Sequence, residues 1–170
     1  MANITGGVTG NVSLTQTPSS GFLNSQALAL QTLIKDNFQT AGTNADQVNL
    51  VHAKTYSFTA SNAQTIDLRS LTDIFGSSIT IARAKVMAFK IKSTTDGATL
   101  TVATNATNGM TSWINGSIKV HAKTNSNDGG IVAVAPNTTG WVTAANAKDL
   151  LLTPSAHAFD VDIVIAGCDA

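Results

Sequence analysis

The chain has 170 residues, enough for one domain that buries about 70% of the surface its unfolded chain exposes, and it carries zero formal net charge with only 12% charged residues. Without a basic field nothing draws phosphate backbones or anionic lipid, so neither nucleic acid nor a membrane is expected as a partner. A single cysteine, Cys168, rules out a disulfide framework, and every acidic side chain is Asp, which removes HExxH zinc proteases, Glu-based glycosidase pairs and EF-hands closed by Glu.

The start of the chain, Met1-Ala2-Asn3-Ile4-Thr5-Gly6-Gly7, has no basic region followed by an apolar core, and no apolar run reaches transmembrane length. The expectation is a protein made and used without Sec export or a bilayer anchor. Residues 1–47 are rich in Gly, Thr, Ser, Asn and Gln and read as an N-terminal arm. Within it Leu23, Ala27, Leu30, Ile34 and Phe38 recur at steps of three and four, with Asn24 or Ser25 to cap the start and Gly42 to end it. That spacing predicts one short helix. The alternative is an extended segment, because Leu28-Ala29-Leu30 suits both periods.

From Val48 onward, short apolar stretches separated by turn residues predict a β-domain over 48–170, a β-sandwich or jelly roll. The fold class is therefore all-β, in keeping with abundant Thr and Val and the missing Glu. Strands are expected at 55–60, 64–69, 84–92, 98–104, 117–123, 130–135, 140–144, 149–153 and 158–166. Asp96-Gly97 has the chemistry of a hairpin turn between the third and fourth of these, since Gly supplies positive φ. Asn108-Gly109, Asn115-Gly116 and Asp128-Gly129-Gly130 punctuate the chain similarly. No repeat of fixed period is present, which sets solenoids and propellers aside.

In the last strand Phe159, Val161, Ile163 and Ile165 share one face, while Asp160 and Asp162 share the other with Val164 and Ala166. Ile131-Val132-Ala133-Val134 is likewise apolar on both faces. A two-layer sandwich needs only one apolar face per sheet, so a further layer or a second subunit must cover the other. The expectation is an oligomer.

The residues offer little chemistry. His52, His121 and His157 lie in three separate segments, no G-x-S-x-G elbow is present, and Asn125-Ser126-Asn127-Asp128-Gly129-Gly130 has Pro136 where a calcium loop needs its closing carboxylate. His121 alternates with Lys119 and Lys123 on a solvated face. Asp160 and Asp162 could share a cation or pair with lysines of a neighbouring strand or subunit, and solvation with edge protection is the plainer reading. The cationic cluster Arg83, Lys85, Lys90 and Lys92, interleaved with Val86, Met87, Phe89 and Ile91, suits a docking rim. No catalytic residue, cofactor or metal ligand is assigned.

Several segments between Tyr56 and Gly167, in order and spacing, resemble a family of small structural proteins of tailed bacteriophages that decorate or cement the head. They are Thr65-Ile66-Asp67-Leu68 with Leu71-Thr72-Asp73-Ile74-Phe75-Gly76, and Ala82-Arg83-Ala84-Lys85 leading into Phe89-Lys90-Ile91-Lys92. Further along come Gly129-Gly130-Ile131 with Val134-Ala135-Pro136, Gly140-Trp141-Val142-Thr143-Ala144, Asp149-Leu150-Leu151 and Asp160-Val161-Asp162-Ile163-Val164-Ile165-Ala166-Gly167. The resemblance implies a β-sandwich or jelly roll, commonly oligomeric, on the exterior of the virion capsid, with no enzyme activity and no cofactor. The arm before Val48 and the polar loop at Thr124–Asp128 depart from that pattern.

The expectation that follows is a homotrimeric capsid decoration protein bound to the major capsid protein. Its arm would contact neighbouring subunits through Leu23, Leu30, Ile34 and Phe38, and Trp141 would lie in the domain core. The alternative is a carbohydrate- or receptor-binding module of a phage fibre or spike, using an exposed Trp113 or Trp141.

Overall fold

The computed structural model of the protein describes residues 6–16, 26–38, 42–45, 47–93, 95–122, 129–135 and 137–169, the first two segments as backbone strands. The described residues contain β-structure and no helix. The strands are β1 (Gly6–Gln16), β2 (Gln26–Phe38), β3 (Leu50–Phe58), β4 (Gln64–Asp67), β5 (Leu71–Thr72), β6 (Ser78–Ile79) and β7 (Arg83–Lys92). They continue with β8 (Thr99–Thr104), β9 (Ser117–His121), β10 (Gly130–Val134), β11 (Trp141–Val142), β12 (Asp149–Pro154) and β13 (Phe159–Cys168).

Two sheets form the body. One runs β10-β7-β13-β3, with the short β11 also on β7, and the other runs β4-β12-β8-β9. Setting aside the separate β1–β2 ribbon and the short β5, β6 and β11, the strands β3, β4, β7, β8, β9, β10, β12 and β13 can be counted one to eight in chain order. The sheets then read 6-3-8-1 and 2-7-4-5. This is the strand order of the eight-stranded jelly roll, in which the chain crosses between sheets at nearly every connection. Of these eight only β8 and β9 are consecutive neighbours within a sheet, with Thr104 N–H donating to Gly116 O at 3.3 Å where the connection closes.

The sequence places the core directly. Inward positions at the two-residue period, Phe89 and Ile91 on β7 and Val161, Ile163 and Ile165 on β13, meet Leu100, Val102, Leu150 and Leu152 from the facing sheet in one buried cluster. Phe58 and Phe159 lie with ring centroids 6.3 Å apart in the same cluster.

Two expectations need correction. The stretch ending at Phe38 is a strand over 26–38, antiparallel to β1, and not a helix. Leu28, Leu30, Ile34 and Phe38 all sit at even positions, so the period of two is met as well as the helical one, and β1 supplies the backbone partners that decide between them. Leu23 lies outside the described residues. Asp96-Gly97, in turn, does not close a hairpin. Gly97 takes φ +77° as tight turns require, yet β7 and β8 belong to opposite sheets. The two strands instead face each other across the core, and Ala98, next after the turn, is buried in it.

One glycine is dictated by both its φ and its surroundings. Gly140 has φ +59°, and a Cβ there would lie 2.6 Å from Ala84 O. It brings Trp141 onto Ala84 of β7.

Candidate functional site

The outer face of the β10-β7-β13-β3 sheet carries two rows of apolar residues that the sandwich core does not use. Antiparallel register places outward residues in rows across all four strands. Val132, Ala88, Val164 and Ala53 form one row, and Val134, Val86, Ala166 and Val51 form the next. Beside the first row lies Gly130, Lys90, Asp162 and Thr55, followed by Lys92, Asp160 and Ser57.

The two apolar rows have different fates. A strap of the same chain, residues 42–45 and 47–49, lies over the second. Val48 packs on Val86 and Ala166, Asn49 N–H donates to Gly167 O at 3.0 Å, and Gly42 N–H donates to Val48 O at 3.3 Å. The first row is bare, with Val132 45% and Val164 37% exposed. One layer of apolar surface is thus half covered by the chain itself.

The strap also explains why the four basic residues do not form a rim. Between Val86 and Ala84 the β7–β13 register shifts by one, making Lys85 the extra residue of a β-bulge. Its side chain is fully buried, and its ammonium donates to Asn44 O in the strap. Arg83 is half-buried and donates from Nη1 to Thr138 O at 3.1 Å. Of the four, only Lys90 and Lys92 are exposed, both on the outer face, Lys90 in the row beside the bare one and Lys92 in the row beyond. The sequence carries a sign of the bulge: Ile91, Phe89 and Met87 keep the period of two inward, and the next inward residue is Ala84, not Lys85.

Under the strap Cys168 is buried, with Sγ 3.3 Å from Gly42 O and 3.5 Å from Gln47 O. Burial pushes its thiol above the usual range.

Asp160 and Asp162 meet the lysines of the neighbouring strand, in register with Lys92 and Lys90. Asp162 accepts from Thr55 Oγ1 at 2.6 Å and lies 3.5 Å from Lys92 Nζ. The Thr55 hydrogen bond first, and the Lys92 charge second, hold its carboxyl below the usual carboxylate range. A depressed folded-state pKa stabilises above the unfolded value of about 3.9 and is lost as pH falls through the folded value. The carboxylate is partly exposed, so the gain is below about 1 kcal/mol. Asp162→Asn should therefore flatten the loss of stability below about pH 4, read as urea midpoints along a pH series.

A second exposed apolar feature is the tip between β5 and β6. Asp73 Oδ1 accepts from the N–H groups of Phe75 and Ser77, each at 2.8 Å, and Gly76 has φ +89°. The turn is therefore tied down while Ile74 is 60% and Phe75 78% exposed. Neither the strap nor this tip shows a local sequence signal of its role, since covering and exposure are tertiary properties.

The histidines have separate surroundings. His52 is buried on the inner side of β3, its Nδ1 2.6 Å from Thr72 O and its Nε2 3.0 Å from Tyr56 Oη. A carbonyl only accepts, so Nδ1 carries the proton toward Thr72. His121 is exposed beside Lys119 on β9, and Lys123 lies outside the described residues, as does Pro136. Among the described residues no three His, Cys or Asp side chains gather as a metal set. Lys148 bridges Asp67 and Asp149, the latter at 3.1 Å, and these hydrogen bonds, that to Asp67 first, raise its pKa.

Trp113 and Trp141, the candidate sugar platforms, spend their faces internally. Trp113 stacks on Phe89 with centroids 5.8 Å apart and meets Trp141 edge-on at 6.1 Å. Both are half-buried against the core cluster. No family model matches the chain, and no curated protein or solved structure matches it either.

Proposed function

We propose that this protein decorates and cements a bacteriophage capsid from the outside, bridging neighbouring subunits of the shell as a non-catalytic structural component of the virion. The observation that carries the reading is the bare apolar row Val132, Ala88, Val164 and Ala53, outward and spanning four strands. Such a surface suits a molecule that works by contact among many copies. The jelly roll hosts shell proteins and lectins alike, so the fold supports the reading without deciding it. The residue pattern from Tyr56 to Gly167 adds to it through its likeness to head decoration proteins.

Physically, cementing is linkage. A protein that binds the mature lattice and not its precursor stabilises the mature state, and repeated sites add avidity without any strong single contact. The β-domain would sit over junctions between capsomers as a homotrimer. The arm, with Leu23, Leu30, Ile34 and Phe38 as anchors, would cross to neighbouring subunits. The Ile74–Phe75 tip adds a preorganised apolar knob of the kind that anchors interfaces.

The test is co-sedimentation of the purified protein with undecorated heads before and after expansion, with occupancy measured against the major capsid protein. Saturable binding at many copies per head, lost when residues 1–41 are deleted, is the expected result. Binding absent, or limited to a few copies, would overturn decoration and point to a vertex or fibre attachment.

A further inference from the structure

The chain holds two apolar surfaces that have no partner sheet. The first is the bare outer row. The second follows from the register of β1 and β2, in which Gly6 pairs with Phe38, Gly10 with Ile34, Val12 with Leu30 and Leu14 with Leu28. Even-numbered positions of both strands share a face, and the shift between Gly10 and Val12 keeps that parity on each strand. Val8, Val12, Leu14, Leu28, Leu30, Ile34 and Phe38 therefore occupy one face of a two-stranded ribbon, with Thr32 and Asp36 interrupting it and Gln16 and Gln26 at its far end. The odd-numbered face carries Thr9, Asn11, Ser13, Thr15, Gln31, Lys35 and Asn37, with Leu33 as its one large apolar residue. Among the described residues β1 and β2 pair with each other and with no other strand.

A two-stranded ribbon is marginal in water by itself and needs a surface for its apolar face. Only residues 39–41, about 10 Å of chain, separate this ribbon from the strap that already lies on the outer sheet. At its own copy, however, the row beside the strap stays open, since Val132 and Val164 are exposed. β2 has 13 residues and spans about 40 Å, whereas a four-stranded sheet is about 15–20 Å across. The ribbon is thus long enough to reach beyond the sheet on which its strap is anchored.

We infer that the β1–β2 ribbon of one copy docks, apolar face down, on the bare row Val132, Ala88, Val164 and Ala53 of the next copy. The inference rests on the arm-as-bridge reading and specifies its receiving surface as a second copy of this chain. Each copy gives a ribbon and receives one, which is a heterologous contact that closes into a ring when the rotation permits. Lys90 lies in the row that borders the receiving row, on the side away from the strap, and Lys92 lies one row beyond it.

A chain carrying Leu30→Cys together with Val164→Cys, in a Cys168→Ala background, tests this under mild oxidation without heads. Folding is checked first by thermal unfolding. A second pair, Ile34→Cys with Val164→Cys, allows for a different position along the row, and Ala29→Cys with Val164→Cys is the opposite-face control. The expected result is covalent multimers on a denaturing gel for at least one of the first two pairs, and at least five-fold less for the control. A folded chain that runs as a monomer, with an internal disulfide or with free thiols in both pairs, would overturn the inference, as would equal cross-linking of the control. Head co-sedimentation of the unmodified protein then separates the two readings. Decoration without cross-linking leaves the cement role standing and removes the receiving row, whereas failure of both removes the role as well.

Discussion

Deleting residues 1–41 should leave the stability of the sandwich within about 0.5 kcal/mol of the full chain, whereas deleting 1–47 should cost about 2–3 kcal/mol and open Cys168 to thiol reagents. The difference lies in six residues of strap. Asn44 O is the acceptor of the fully buried Lys85 ammonium, and the carbonyls of Gly42 and Gln47 face Cys168 Sγ. A hydrogen bond to a charged group is worth about 1.5–3 kcal/mol, and removing the acceptor leaves the charge beneath a torn cover. At about 2–4 °C per kcal/mol for a protein of this size, the longer deletion should lower the melting temperature by roughly 4–12 °C. The thiol gives the second readout. Burial now holds it in its unreactive protonated form, and losing the strap restores an ordinary exposed cysteine. Equal thiol labelling in the two truncated chains would show that the strap is dispensable packing.

That contrast also marks where sequence reading stops. Each strand expected after Val48 has its counterpart, from β3 to β13, because turn residues and a two-residue apolar period are local signals that survive into the fold. The double-sided apolarity of β10 and β13 was legible too. It points to the outer face, whose rows the register then aligns across four strands. The strap was not legible, since Gly42-Thr43-Asn44-Ala45-Asp46-Gln47-Val48 has no period and its role is to lie over residues distant in sequence.

Lys85 shows a different failure. Four basic residues in ten look like a rim on any strand with unbroken alternation, and a single inserted residue moves one of them from solvent into a buried hydrogen bond. The ribbon failed for a third reason. Leu30, Ile34 and Phe38 satisfy two periods at once, and the choice between them belongs to β1, a separate stretch of chain. Asp96-Gly97 completes the pattern: turn chemistry is local, but whether the turn joins neighbours in one sheet or spans two is set by where the flanking apolar faces find their complement.

The inner and outer faces of β13 can be separated by adjacent substitutions. Ile163 is fully buried at the centre of the sheet, in register with Phe89 of β7 and Lys54 of β3, and belongs to the core cluster. Ile163→Ala removes the side chain beyond Cβ from a close-packed site and should cost about 3–4 kcal/mol, the lost transfer free energy plus the cavity left behind. Against a total of about 5–15 kcal/mol, that is a large share, read as a drop in the urea midpoint with the slope unchanged. Val164, one residue on, points to the bare row. Val164→Asp should cost the isolated domain less than about 1 kcal/mol, because its carboxylate remains in water. In the assembled state the same carboxylate would lose its water against an apolar ribbon face and should abolish association, read as loss of the higher-order species by sedimentation. If Val164→Asp unfolds the domain as severely as Ile163→Ala, the outer row is core, not interface. If it leaves both the fold and the assembly intact, the row is neither, and the contacts between copies must be sought at the Ile74–Phe75 tip.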